Sequence, residues 1–192
     1  LNYGGKVTTH LEFPKEFGLG SSSTLIANIA LWANINPYEL LWEGFSGSGY
    51  DIACANSFNP LLYQLTNNIP KTTLVQINYD FSDQLFFVYL NKKQNSREGI
   101  AQYRKKGTIN SSIIDEISEI SEATAMATSL ASFELLLNKH EDIISALLDI
   151  HTIKTTYFSD YNGCIKSLGA WGGDFVLATG APEYVKKYFS EK

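Results

Sequence analysis

Two glycines and four hydroxyl side chains precede an apolar run in residues 13–24, which read FPKEFGLGSSST. The pattern predicts a strand that ends near Pro14, a loop that turns at Gly18 and Gly20, and a helix that begins among the serines. Backbone N–H groups at a helix start have no intrahelical acceptor, and glycine lets an anion approach them closely. The segment is therefore typical of a phosphate site. The alternative is an ordinary Gly-Ser loop with a serine N-cap.

Neither of two common phosphate-binding signatures matches this loop. A P-loop places Lys and then Ser or Thr after its last glycine, whereas Ser21 follows Gly20 here. A dinucleotide-binding fingerprint needs a third glycine or an alanine where Ser23 stands. If phosphate binds at this loop, it must do so by another design.

A second loop rich in glycine and serine, residues 44–51, ends in the carboxylate of Asp51. No Lys or Arg lies between Lys15 and Lys71, so a cationic partner for Asp51 must come from elsewhere. A carboxylate in this setting can accept a proton from a substrate hydroxyl or hold that hydroxyl in orientation. The alternative is an aspartate that closes a turn by bonding to backbone amides.

A third glycine-rich loop, SLGAWGGD at residues 167–174, lies between two predicted strands. Two roles fit this position: a plain hairpin turn, or a backbone surface that contacts a ligand. Trp171 places a bulky indole in the middle of this loop.

Together the three loops resemble the motifs of the GHMP kinases, a family that includes galactokinase, homoserine kinase, mevalonate kinase and phosphomevalonate kinase. Residues 14–23 are similar to the family's nucleotide-binding motif, residues 48–51 to its Ser-Gly-x-Asp segment, and residues 167–173 to its C-terminal glycine-rich motif. Residues 47–53, GSGYDIA, also resemble the bacterial subgroup named for its Gly-Tyr-Asp-Ile-Ala segment. The three motifs occur in the family's order and cover the chain from about residue 6 to residue 180.

The resemblance implies an α+β fold with two parts. The first part is α/β and S5-like, that is, similar to domain 2 of ribosomal protein S5, and the second is a ferredoxin-like GHMP kinase C-terminal domain. Polar residues cluster between Asn78 and Asp83, which predicts a domain boundary there. We therefore expect residues 1–80 to be the C-terminal portion of the ATP-binding domain and residues 81–192 to be the C-terminal domain.

The resemblance also implies ATP and Mg²⁺ as cofactors, and transfer of the γ-phosphoryl group to an alcohol or phosphate acceptor such as mevalonate or phosphomevalonate. Asp51 would orient or deprotonate the acceptor hydroxyl, while Ser22 and Glu43 would be ligands of the metal. The residues implied in nucleotide binding are Pro14, Gly18, Leu19, Gly20, Ser21, Ser22 and Ser23. The residues implied in acceptor binding are Ser48, Gly49, Ser96, Gly169, Ala170, Trp171 and Gly172.

Departures from the family pattern leave other functions open. Ser23 and Thr24 stand where the family has alanines, and Trp171 stands where it has glycine, which would reshape the acceptor pocket. The family's motif with the catalytic lysine lies before the strand with which this chain begins, so we expect the sequence to be truncated at its N-terminus. The alternatives are a non-catalytic ligand-binding protein with the same fold and an ATP-dependent decarboxylase of the same family.

The composition of the chain argues against several classes of protein. The net charge of −5 is unlike that of a protein that binds duplex nucleic acid, whose contact face should be strongly basic. The best apolar run, residues 25–33, is too short to span a bilayer. Two cysteines are too few for a disulfide framework and favour a reduced, cytoplasmic setting. We expect ATP and a small-molecule acceptor as partners, without nucleic acid or membrane, and allow for a homodimer.

Hydrophobic periodicity predicts the remaining elements. Residues 6–13 alternate, which predicts a half-buried strand, and Asn36 with Pro37 predicts the N-cap and first residue of a helix through Leu41. His140 falls on or beside the apolar stripe of a helix, which favours a satisfied packing histidine over a catalytic one. The other predicted strands are residues 61–65, 73–79, 85–90, 164–168 and 175–179. The other predicted helices are one that begins after Ser23, three over residues 96–106, 113–120 and 133–148, and a short one after Pro182.

Overall fold

The structure, a computed structural model, describes residues 5–45, 47–91, 96–169, 171 and 174–192. The chain divides into two compact units, Leu1–Gln76 and Ile77–Lys192, and each unit has its own cluster of buried apolar side chains. The assignment of these units to the two parts of a GHMP kinase stays a prediction.

Three α-helices and a β-hairpin form the described part of the first unit. They are α1 (Ser21–Ala33), α2 (Pro37–Gly44), α3 (Tyr50–Ala55), β1 (Leu61–Thr66) and β2 (Ile69–Leu74). One apolar side chain from each helix, Ile26, Leu41 and Ile52, enters a shared buried cluster, which holds the three helices together. The predicted N-cap of α2 is confirmed, because the side chain of Asn36 accepts a hydrogen bond from the N–H of Tyr38 at 2.9 Å.

The strand predicted over residues 6–13 was wrong. These residues have no regular secondary structure, and Val7, which the pattern placed on the buried face, is 54% exposed. A strand is stable only when its backbone N–H and C=O groups are paired, and no strand in the described part of the chain pairs with this segment. Alternation of side chains alone therefore did not suffice to form a strand.

The second strand of the hairpin lies earlier in the chain than residues 73–79, where we predicted it. β2 ends at Leu74, which pairs with Leu61 at the first position of β1. Asn67 and Asn68 both have positive φ, of 51° and 60°, and form a two-residue turn between the strands. A two-residue hairpin turn of this type needs two residues that tolerate the left-handed conformation, as asparagine does. The position of these two asparagines therefore fixes the register of the hairpin.

A three-stranded antiparallel sheet in the order β3-β5-β4 and several helices form the described part of the second unit. The elements are β3 (Leu85–Tyr89), α4 (Ser96–Lys105), α5 (Ser111–Ala125), α6 (Leu130–Leu148), α7 (Ile153–Tyr157), β4 (Ile165–Ser167), β5 (Phe175–Thr179) and α8 (Pro182–Ser190). The three strands predicted in this unit are confirmed to within one residue at each end. An S5-like part followed by a ferredoxin-like part stays a prediction.

The central strand β5 carries the core of the second unit. Val176 and Ala178 are two residues apart, so they lie on one face of the sheet, and both are fully buried. Val88 on β3 pairs with Val176, and Ile165 on β4 pairs with Ala178. No helix in the described residues of either unit combines the length and the apolar character that crossing a bilayer requires.

Candidate functional site

The first glycine-rich loop forms two successive bends before α1. Residues Lys15–Phe17 form one turn of 3₁₀-helix, closed by a hydrogen bond from the N–H of Phe17 to the carbonyl of Pro14 at 3.0 Å. Gly18 and Gly20 follow with φ of 65° and 76°, the left-handed region that favours glycine. Leu19 between them is 52% exposed, so the loop lies at the surface of the first unit.

The start of α1 has no side-chain cap, so the serine N-cap of the alternative interpretation was wrong. The N-cap residue is Gly20, and the hydroxyls of Ser23 and Thr24 both donate to its carbonyl oxygen, at 3.0 and 2.9 Å. The backbone N–H groups of Ser21, Ser22 and Ser23 have no acceptor among the described residues. Three N–H groups at the positive end of a 13-residue helix are therefore available to an anion.

The second loop is held by two tyrosines from neighbouring elements. The hydroxyl of Tyr63 on β1 donates a hydrogen bond of 2.6 Å to the carbonyl oxygen of Ser48. Gly49 has φ of 90°, and a Cβ at this position would lie 3.0 Å from the ring of Tyr38 on α2. Only glycine fits this position without displacing the ring. α3 begins directly afterwards, so this loop sets where Asp51 lies.

Asp51 lies in the first turn of α3, with its side chain reaching solvent. Partial burial raises the pKa of its carboxyl, and a hydrogen bond with the side chain of Tyr50 opposes that rise. Burial and the charge of Asp51 in turn raise the pKa of the Cys54 thiol. No bond from this carboxylate to a backbone amide is found in the described residues, so it does not serve as a turn-closing aspartate there. A carboxylate of raised pKa at a loop edge suits a general base.

Ser22 and Glu43, the predicted metal ligands, lie on helices that pack against each other. Ser22 is one helical turn, about 6 Å along the axis, before Ile26 of the shared apolar cluster. Glu43 is exposed near the end of α2. No group of three or more His, Cys, Asp or Glu side chains in the described residues could hold a metal ion. A hydroxyl and a carboxylate are oxygen ligands of the type that Mg²⁺ takes together with phosphate oxygens, because Mg²⁺ usually binds only one or two protein carboxylates.

The third loop lies in the second unit and joins two antiparallel strands, β4 and β5, as predicted. Gly169 and Trp171 have φ of 64° and 55°, and the indole of Trp171 stacks on the ring of Tyr103 in α4, with centroids 5.7 Å apart. Ser96 begins α4, but its side chain lies outside the described part of the chain. Ala170 and Gly172 also lie outside the described residues, so the acceptor contacts of this loop stay predictions.

The base of the third loop is anchored by Glu141, a residue that sequence reasoning missed. Glu141 is 6% exposed on α6, and its Oε1 atom accepts hydrogen bonds from Lys166 Nζ at 2.9 Å and from Ser167 Oγ at 2.7 Å. Lys166 Nζ also donates to the carbonyl oxygen of Ser167 at 2.7 Å. A signal was present, because residue 141 shares the helix face of the buried Leu137 and Ile144.

His140, the neighbour of Glu141, is a packing histidine but not a satisfied one. Its Nδ1 atom is buried and has no hydrogen-bond partner among the described residues. Burial, together with the positive charge of Lys166, lowers the pKa of His140 to about 4, although the charge of Glu141 acts in the opposite direction. The imidazole is therefore neutral at pH 7.

This low pKa predicts a loss of stability in mild acid. As the pH falls from 6.5 towards 4, the unfolded chain binds a proton at His140 that the folded chain does not, so the free energy of unfolding decreases. We expect this decrease to be about 1–2 kcal/mol larger in the wild type than in His140→Leu, with allowance for solvent screening at a partly exposed group. Urea denaturation at several pH values measures the difference. Parallel pH profiles would contradict the prediction.

The fold of the chain is similar to that of a mevalonate kinase. The crystal structure of L. major mevalonate kinase in complex with R-mevalonate matches with a TM-score of 0.63 and 15% sequence identity, over 90% of this chain and 61% of that chain. The chain thus spans less than two thirds of that kinase. No protein-family profile matches the chain, and no curated protein sequence matches it. The expected resemblance is therefore confirmed for the fold alone: the chain is a mixed α/β protein with a fold like that of this mevalonate kinase.

Proposed function

We propose that this protein is a GHMP-type kinase that transfers the γ-phosphoryl group of ATP to an alcohol or phosphate group of a small molecule. The observation that carries the proposal is the start of α1, which has no side-chain cap and follows two glycines in the left-handed conformation. α1 also packs against α3, the helix that bears Asp51. The likeness of the fold to a mevalonate kinase supports the same function.

In this proposal the first loop binds the triphosphate of ATP. The free N–H groups of Ser21, Ser22 and Ser23 bind phosphate oxygens, and Gly18 and Gly20 allow the phosphates to approach the backbone. The hydroxyl of Ser22 and the carboxylate of Glu43 would be ligands of Mg²⁺, which would supply positive charge to neutralise the phosphates. Residues 16–70 contain no Lys or Arg, so this stretch offers the phosphates backbone donors rather than cationic side chains.

Asp51 acts on the acceptor. Its carboxylate accepts a hydrogen bond from the acceptor hydroxyl and takes the proton as the oxygen bonds to the γ-phosphorus and ADP leaves. Partial burial raises the pKa of Asp51, which makes the carboxylate a better base. Ser48 and Gly49 bind the rest of the acceptor, and roles for Ser96 and the third loop stay predictions from the resemblance. Mevalonate and phosphomevalonate are the first acceptors to test.

A non-catalytic ligand-binding protein is the second candidate function. Trp171 stands where the kinases that the sequence resembles have glycine, and its indole is committed to a stack on Tyr103. An indole that fills the space at the third loop would prevent an acceptor from binding there, while nucleotide binding at the first loop would remain. This observation favours binding without transfer.

A coupled assay for ADP release distinguishes these functions. The full-length gene product is incubated with MgATP and with alcohol or phosphorylated acceptors, and ATP binding is measured separately by calorimetry. Acceptor-dependent ADP release supports the kinase. Binding of ATP without turnover on any acceptor supports the non-catalytic alternative, and failure to bind ATP contradicts both.

A further inference from the structure

Three aromatic side chains enclose the backbone just before α3. Tyr38 and Trp42 lie four residues apart on α2, and their rings pack with centroids 5.6 Å apart. The indole Nε1 of Trp42 donates to the carbonyl oxygen of Gly47 at 3.3 Å, and the hydroxyl of Tyr63 donates to that of Ser48 at 2.6 Å. The aromatic clamp, defined as Tyr38, Trp42 and Tyr63, thus holds two successive carbonyl groups.

The aromatic clamp acts on the residue that starts the helix of Asp51. A Cβ on Gly49 would lie 3.0 Å from the Tyr38 ring and 3.1 Å from the Tyr63 hydroxyl, so the backbone touches both. Gly49 is the N-cap of α3, and its carbonyl accepts hydrogen bonds from the N–H groups of Ile52 and Ala53, at 3.0 and 3.1 Å. A shift of Gly49 would therefore move the first turn of α3, and Asp51 with it.

We propose that Tyr63 is a positioning residue for Asp51, an inference that rests on the proposed phosphoryl transfer. Its hydrogen bond joins β1 to a loop 15 residues earlier in the chain, so the bond sets a tertiary position rather than a local turn. Phosphoryl transfer relies on the positioning of reacting groups, and a misplacement of about 1 Å can lower a rate about a hundredfold. Tyr63 acts on the acceptor only through the loop of Ser48 and Gly49 and through Asp51, and it takes no part in binding ATP.

The test compares Tyr63→Phe with a matched control, Tyr79→Phe. The hydroxyl of Tyr79 donates a hydrogen bond of the same length, 2.6 Å, to the carbonyl oxygen of Thr124 in the second unit. Each variant removes one hydroxyl and keeps the ring, so both should lower the unfolding midpoint by a similar, small amount. Tyr63→Phe should lower kcat about tenfold and leave the KM for ATP unchanged. Tyr79→Phe should leave both constants unchanged.

Equal kcat values for the two variants would overturn the inference. If the wild-type protein transfers phosphate to no acceptor, the proposed function fails, and hydrogen exchange then tests the positioning role separately. The amides of Ile52 and Ala53, which donate to the carbonyl of Gly49, should exchange about tenfold faster in Tyr63→Phe than in the wild type, with the second unit unchanged. Unchanged exchange at these amides would also overturn the inference.

Discussion

Replacement of Asp51 by asparagine is expected to lower kcat for phosphoryl transfer by about 10²–10⁴-fold, with the Kd for ATP nearly unchanged. The amide has the size of the carboxylate but cannot accept the proton of the acceptor hydroxyl. In the wild type, kcat should rise with pH as the carboxyl loses its proton, through a pKa that partial burial holds above its ordinary value. The variant should lack that rise.

Steady-state kinetics of Asp51→Asn over a range of pH measure this effect. Asp115→Asn is the control, because Asp115 is an exposed aspartate on α5 in the other unit. A variant at position 51 with wild-type kcat would remove Asp51 from the mechanism. A loss of ATP binding in the same variant would instead indicate that Asp51 supports the nucleotide loop.

Replacement of Glu141 by alanine is expected to lower the free energy of unfolding by about 3–5 kcal/mol, because it leaves a buried ammonium group without its partner. Lys166 Nζ lies 2.9 Å from Glu141 Oε1, and the two side chains are only 13% and 7% exposed. The hydroxyl of Ser167 loses the same acceptor. Urea denaturation measures the change.

The control for this prediction is Glu116→Ala, which breaks an exposed ion pair of the same type. Glu116 Oε1 lies 2.7 Å from Lys139 Nζ, and these side chains are 40% and 54% exposed, so the loss should be about 0–1 kcal/mol. A double variant, Glu141→Leu with Lys166→Met, should recover much of the stability, because it removes both buried charges. Equal losses in the two single variants would contradict the argument from burial.

Elements whose stabilising contacts are local or follow a long periodic pattern were predictable from the sequence. The N-cap at Asn36 and the strands of the second unit were predicted to within one residue, because capping and side-chain patterning act over a few neighbouring positions. The strand over residues 6–13 was not, because a strand depends on a hydrogen-bonded partner that its own residues do not specify. The same limit applies to β2, whose position follows from the turn at Asn67 and Asn68.

The candidate site shows the same division between features that the local sequence predicts and features that depend on distant partners. The sequence by itself determined the residue types of the loops, namely glycines and hydroxyl side chains before an apolar helix and a carboxylate at the end of the second loop, since these depend on residue type and short spacing. The structure decided that the start of α1 has no side-chain cap and that Asp51 lies in the first turn of a helix. Only the tertiary structure decided that Tyr63, 15 residues after Ser48, holds the loop before Asp51, and that Glu141 is buried against Lys166 and Ser167, 26 residues from the latter. Such contacts depend on how elements that are far apart in the sequence pack against each other, and no local pattern of residues encodes that packing.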